Sequence, residues 1–296
     1  MKVYITSDDN AGITPEEAKT LGISLVAMPV IIDGVIYYQN RSLTDETFYK
    51  KLTGGANVST SQPLPQDLVT MWDELLKQYN QIVHLPMSSG LSMSCQMAKT
   101  LAETPPYAGK VFVVDNHRIS VTLKSSVYDA IALAKKGFTG EQIKDTLESD
   151  AYNSSIYIMV DTLKYLKKGG RITPAAALFG EVLNVKPILK IEGEKLDAFK
   201  KVIGTKKAKL VMLEAVEHDL NTRFKDIPAE ELSFAIAYTY DLDEANNFKK
   251  MVQEKFGAKY IMMDPLSLSI ATHIGPGAVA IAVSHTFNPN ISKLHE

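Results

Sequence analysis

The sequence predicts an α/β protein of two α/β domains, residues 1–160 and 161–296. Three observations carry this. Up to Asp161, short apolar strands alternate with amphipathic helical patterns, as in a mostly parallel, doubly wound sheet. From Leu163 there are fewer helices per strand and hairpin patterns enter, which describes a mixed α/β domain. A chain of 296 residues, 45% hydrophobic and 22% charged, is long enough for two cores.

In order, Lys2 to Thr6 is a first strand ending at Ser7-Asp8-Asp9-Asn10. Polar groups at a strand's carboxyl end either face the ligand crevice of a parallel sheet or make the turn into the next helix. That helix opens at Thr14-Pro15-Glu16-Glu17, with proline in the first turn and acids at the positive end of the dipole. Ile23 to Val30 and Ile31 to Tyr38 are apolar, broken by Pro29 and by Asp33-Gly34, a hairpin turn. Thr44-Asp45-Glu46 opens a short helix closed by Gly54-Gly55. From Pro65, the spacing of Leu68, Met71, Trp72, Leu75, Leu76 and Tyr79 predicts an amphipathic helix with Trp72 in the core.

Gln81 to Leu85 is a mostly apolar strand running into Pro86-Met87-Ser88-Ser89-Gly90-Leu91-Ser92-Met93-Ser94, with a helix from Cys95. Four serines in seven residues place hydroxyls beside unpaired backbone N–H groups, a corner suited to a phosphate or carboxylate. Capping needs only one of them. Ser59-Thr60-Ser61, ahead of Gln62-Pro63, is a second hydroxyl-rich helix entrance.

Lys110 to Asp115 is another buried strand, followed by a helix over Val121 to Ala134 and another from Thr139 to about Glu148. Ser155 to Asp161 reads as the last strand of the first half. Leu163 to Ile172 reads as a helix ending at Gly169-Gly170, or as an exposed basic loop that a partner or anionic ligand reads. Thr173-Pro174 starts a small-residue helix through Phe179, and Val185 to Ile191 begins a hairpin. Helices over Thr205–His218 and Leu242–Phe256 then alternate with strands at Phe234–Tyr240, Tyr260–Met263 and Ala278–Val283. His273 stands just before Gly275-Pro276-Gly277, where the chain can approach a ligand closely. The remaining histidines read as structural or surface residues.

A net charge of −2 asks for neither nucleic acid nor an anionic membrane as partner. The single cysteine, Cys95, excludes an internal disulfide and a multi-cysteine metal site, and fits a reducing compartment. Asp8 and Asp9 come too early for a signal peptide, and no apolar run approaches the ~18 residues of a membrane span. The expectation is a cytoplasmic protein without stable membrane insertion. Nucleotide-loop, dinucleotide, zincin and nucleophile-elbow motifs are absent, so neither metal nor cofactor is expected. A Ser92–His273 nucleophile and base pair, serving acyl transfer or ester hydrolysis, stays open, with no acidic third member.

Taken together, these pieces resemble the DegV family of bacterial proteins, which includes the fatty-acid-binding subunits of fatty acid kinase. The resemblance rests on Ser7-Asp8; Thr60-Ser61-Gln62-Pro63; Ser88-Ser89-Gly90-Leu91-Ser92; Leu166 to Ile172 with Lys186-Pro187-Ile188-Leu189; and His273 to Gly277. It spans nearly the whole chain. It implies a long-chain fatty acid in a tunnel between the two domains, with Thr60, Ser61, Ser92 and His273 as carboxylate ligands. It also implies a separate ATP-using kinase subunit that phosphorylates the carboxylate to an acyl-phosphate, met by the surface near Arg171. The binding protein itself is then no enzyme. There are two departures from the family pattern. Met93 stands where the family usually has glycine, and Asp9-Asn10 where it more often has serine or threonine. Ser94 keeps the hydroxyl of the usual threonine.

Overall fold

In a computed structural model, residues 2–178 and 184–288 are described. Phe179 and His295 lie outside them. The N-terminal elements are β1 (Val3–Asp8), α1 (Pro15–Leu21), β2 (Ser24–Val26), β3 (Val30–Ile32), β4 (Val35–Tyr37), α2 (Asp45–Thr53), β5 (Val58–Thr60), α3 (Pro65–Leu76) and β6 (Gln81–Leu85). Then come α4 (Ser94–Ala102), β7 (Val111–Val113), α5 (Ser120–Lys135), α6 (Gly140–Ser149), β8 (Ser154–Met159), α7 (Lys164–Gly169) and α8 (Pro174–Ala177). The rest are β9 (Val185–Ile191), β10 (Asp197–Ile203), α9 (Thr205–Asn221), β11 (Leu232–Tyr238), α10 (Leu242–Phe256), β12 (Met262–Pro265), α11 (Leu268–Ile274) and β13 (Val279–His285).

Strands β2, β1, β6 and β7 form a wholly parallel sheet in that order. Both faces are covered, as near-continuous apolar strands require. Trp72 of α3 and Ala98 of α4 pack with Ile82 on one face, while α5 packs on β1 and β6 from the other. The Asp33-Gly34 turn joins β3 to β4 with both residues at positive φ, +50° and +85°, the twist a two-residue hairpin needs. With β5 these strands make a small antiparallel sheet that packs on α11.

The second large sheet is mixed, in the order β10-β9-β8-β13-β11-β12, and only β11 and β12 run parallel. The expected assignment of β8 to the first half is corrected here. It hydrogen-bonds to β9 and β13, because its apolar residues alternate between two covered faces of this sheet. Tyr157 and Met159 pack with α9 on one face, and Ile156 and Ile158 face the other core.

Helix α5 lies between the two large sheets, touching β1, β6, β11 and β13. Thirteen of its sixteen residues are buried, as expected of a helix with no solvent face. Its buried Lys124 is paired with Glu17 at 2.9 Å and Asp264 at 3.1 Å, one carboxylate from each half. The halves are thus joined through a polar tie as well as apolar packing.

Candidate functional site

Beside α5, between the mixed sheet and the first half, lies a cavity of about 260 Å³. A single water needs only about 10–15 Å³ of such space, so this is no packing defect. Ile156, Ile158, Ile191, Ala237 and Ala280 form the sheet wall; Met28, Met87, Ile119 and Val121 face them. The polar groups Thr60, Ser61, Gln62, Ser92, Arg171 and His273 also line it. Thr60, Ser61, Ser92, Arg171 and His273 therefore share one cavity, while Ser59, Ser88, Ser89 and Ser94 of the two hydroxyl clusters do not line it. No carboxylate side chain lines it among the described residues.

Each of these side chains is placed by a definable local cause. Thr60 ends β5, an edge strand held by β3, and its Oγ1 lies 2.8 Å from Nε2 of His273. His273 is in the last turn of α11, which stops at Gly275 with φ +82° against the Tyr165 ring, where a Cβ would collide. Gly169 lies directly under the imidazole, and a side chain there would strike Nδ1. The double glycine thus ends α7, through Gly170 at φ +69°, and also seats the histidine.

Arg171 follows immediately, half-buried in the cavity wall. Its Nε donates to the Leu91 carbonyl at 3.3 Å and its Nη1 to that of Gly169. These bonds tie the serine-rich loop to α7 and bring a guanidinium to the polar groups of the cavity. Ser92 Oγ accepts the Ser94 N–H at 3.2 Å and so helps start α4. Ser61 Oγ donates to the Gln62 carbonyl at 3.1 Å, and both residues are exposed, so this part of the cavity reaches the surface. Met93 lines the same region and is 66% exposed, with φ −75° and ψ −4°. Those are ordinary right-handed angles, so glycine is not required there.

Burial, reinforced by the Arg171 charge, lowers the His273 pKa to about 4. The imidazole is therefore neutral near pH 7 and a weak base. Among the described residues no carboxylate pairs with it, and its hydroxyl partner is Thr60, not Ser92. The arrangement lacks an oriented nucleophile–base–acid set. It does offer hydroxyls, an imidazole and a guanidinium to an anion.

The hydroxyl cluster at Ser59-Thr60-Ser61 caps nothing: α3 begins behind Leu64 without a side-chain cap. At the end of β1 both readings hold, on different residues. Asp8 accepts the N–H groups of Asn10 and Met87, and Asp9 that of Met28, which makes the turn. Burial pushes their pKa values up to about 6 and 8. Asn10 instead lines the cavity, together with Ser120 and Ser269, which the sequence reading passes over. Ser269 lies one helical turn before His273, the spacing that could have revealed it.

A family model described as "Uncharacterised protein, DegV family" matches residues 2–286. A DegV domain-containing protein of Deinococcus radiodurans is 30% identical over 292 residues, 96% of this chain and 98% of its own. The solved structure of a fatty-acid-binding DegV family protein from Thermus thermophilus matches with a TM-score of 0.86 and 27% identity, over 96% of this chain and 100% of that one. DegV, a fatty acid binding protein from Bacillus subtilis, matches with a TM-score of 0.83 and 26% identity, over 97% and 100%. With the family model running from the first strand to the end of the last, this chain belongs to the DegV family.

Proposed function

We propose that this protein binds a long-chain fatty acid, its tail in the cavity between the sheets and its carboxylate among Thr60, Ser61, Ser92 and His273. One observation carries the reading: the cavity walls are mainly aliphatic, while hydroxyls, a neutral imidazole and a guanidinium gather in one region that reaches the surface. The relatives from Thermus thermophilus and Bacillus subtilis, described as fatty-acid-binding, support it.

The energetics divide the labour. At about 0.8 kcal/mol per buried methylene, a tail of ~14 methylenes gains on the order of 11 kcal/mol before ordering costs. Each charge-assisted hydrogen bond to the carboxylate adds roughly 1.5–3 kcal/mol gross, offset by desolvation. The tail therefore supplies affinity, and the head group sets orientation.

We infer further that the carboxylate is presented to a separate ATP-using kinase subunit, which phosphorylates it to an acyl-phosphate near Arg171. Single hydroxyl contacts leave a carboxylate oxygen free to attack phosphorus, and the exposure of Ser61, Gln62 and Met93 gives a partner access. The poor basicity of His273 and its pairing with Thr60 favour a binding role over Ser92 catalysis.

Native mass spectrometry of the purified protein, followed by solvent extraction, tests the binding step. A one-to-one fatty acid is expected. A protein that arrives empty and takes up no added fatty acid refutes the reading. Incubating the loaded protein with candidate kinase subunits and ATP, with hydroxylamine to trap acyl-phosphate, tests presentation separately.

A further inference from the structure

We infer that Ala237 and Ala280 set how far an acyl chain runs across the mixed sheet, and so which chain lengths the protein prefers. The inference rests on the fatty-acid reading above and deepens it. Both side chains line the cavity, and both are almost fully buried. They are direct cross-strand partners on β11 and β13. On the next strand, Ile158 is the partner of Ala280 and lines the cavity too. Side-chain bulk therefore falls from isoleucine to two methyl groups along one row, at about 4.8 Å per strand.

That drop is unusual for a buried sheet face, where β-branched side chains fit best and alanine is depleted. The opposite face of the same strands follows the usual pattern, with Ile236 opposite Ile281 in the core beneath α9 and α10. Small side chains on the inner face leave space that a neighbouring element or a ligand must fill. One step along the same face, Ala235 and Ala282 form an equivalent pair that lies outside the cavity wall, and α5 packs on both strands. Packing of α5 thus accounts for small residues on these strands in general. It does not account for the pair that borders open volume. The Ala237–Ala280 pair thus leaves space on the cavity side that isoleucine at either position would fill.

The test compares Ala237→Leu, Ala280→Leu and Ala280→Gly with the wild type and with Ala282→Val, the control on the same face outside the cavity. Saturated acids from decanoic to octadecanoic compete against a fluorescent fatty acid, and circular dichroism checks folding. The leucine variants are expected to prefer shorter acids, with long-chain affinity falling about fourfold for each methylene that loses its place. Ala280→Gly moves the preference toward longer acids, and Ala282→Val keeps the wild-type profile. Folded leucine variants with an unchanged profile overturn the inference, and so does an equal shift in Ala282→Val. Should the leucine variants not fold, Ala280→Gly decides, an unchanged profile overturning it. A wild-type protein that binds no acid of any length refutes the fatty-acid reading itself, a result distinct from these.

Discussion

Replacing Thr60 by valine keeps the side chain's shape and removes the hydroxyl that lies 2.8 Å from His273 Nε2. This hydroxyl is already paired with the imidazole, so a bound carboxylate must share it. The full value of a charge-assisted bond is roughly 1.5–3 kcal/mol, and sharing places the net loss near its lower end. About 1.5 kcal/mol corresponds to roughly tenfold weaker binding. The tail contribution is untouched, so the variant still binds. The discriminating quantity is the affinity ratio of a fatty acid to the alcohol of the same length, measured by competition with a fluorescent ligand. That ratio should fall about tenfold in Thr60→Val and stay near wild type in Thr60→Ser, which restores the hydroxyl. An unchanged ratio in both Thr60→Val and His273→Ala would refute the placement of the carboxylate.

Three further outcomes follow from particular contacts. Gly169→Ala should displace the His273 ring and so weaken fatty acid binding, with some loss of thermal stability because the imidazole must move; unweakened binding would count against the seat beneath the imidazole. The hydrogen bond from His285 to Asp150, 2.7 Å long, raises the histidine pKa, so its stabilisation is complete below the ordinary value and lost as pH rises through the raised one. Denaturant unfolding should therefore show His285→Asn costing more at about pH 6 than at about pH 9, and a pH-independent cost would contradict the assignment. Burial raises the Asp9 pKa to about 8, so ionising it costs the fold stability as pH rises from its ordinary acidic value toward that point. Asp9→Asn keeps an oxygen for the Met28 N–H and cannot ionise. Its melting temperature should exceed the wild type's above pH 8 by more than at acidic pH, and equal offsets would be the contrary result.

Local periodicity makes the elements legible and says little about their partners. The helix over Leu242–Phe256 and the hairpin at Asp33-Gly34 are written in apolar spacing and turn chemistry, and both form as read. Strand β8 is written just as clearly as a strand. Its companions, however, are β9 and β13, and the choice between sheets depends on faces that only the assembled halves present. The burial of α5 on nearly every side is similar. Val121, Leu123, Val127, Ala130 and Ile131 together exceed one helical stripe, and a sheet on each side explains the excess.

The polar residues lining the cavity that the sequence singled out belong to β5 and the residue after it, the β6–α4 loop, the segment after α7, and α11; Thr60 and His273 meet across 213 positions of sequence. Hydroxyl clustering and a histidine beside a glycine turn single them out because those residue types are costly to leave unpaired and useful near an anion. The cavity itself has no such signature. Its sheet wall combines Ala237 and Ala280 with Ile156 and Ile158 from a different strand, and composition along one strand does not reveal what faces it. Met93 makes the same point from the other side. A glycine-to-methionine departure signals a changed site only where glycine's backbone freedom or lack of a side chain is in use. At φ −75° with an exposed side chain, position 93 uses neither, so the exchange alters the rim of the cavity and leaves the serine loop's path intact.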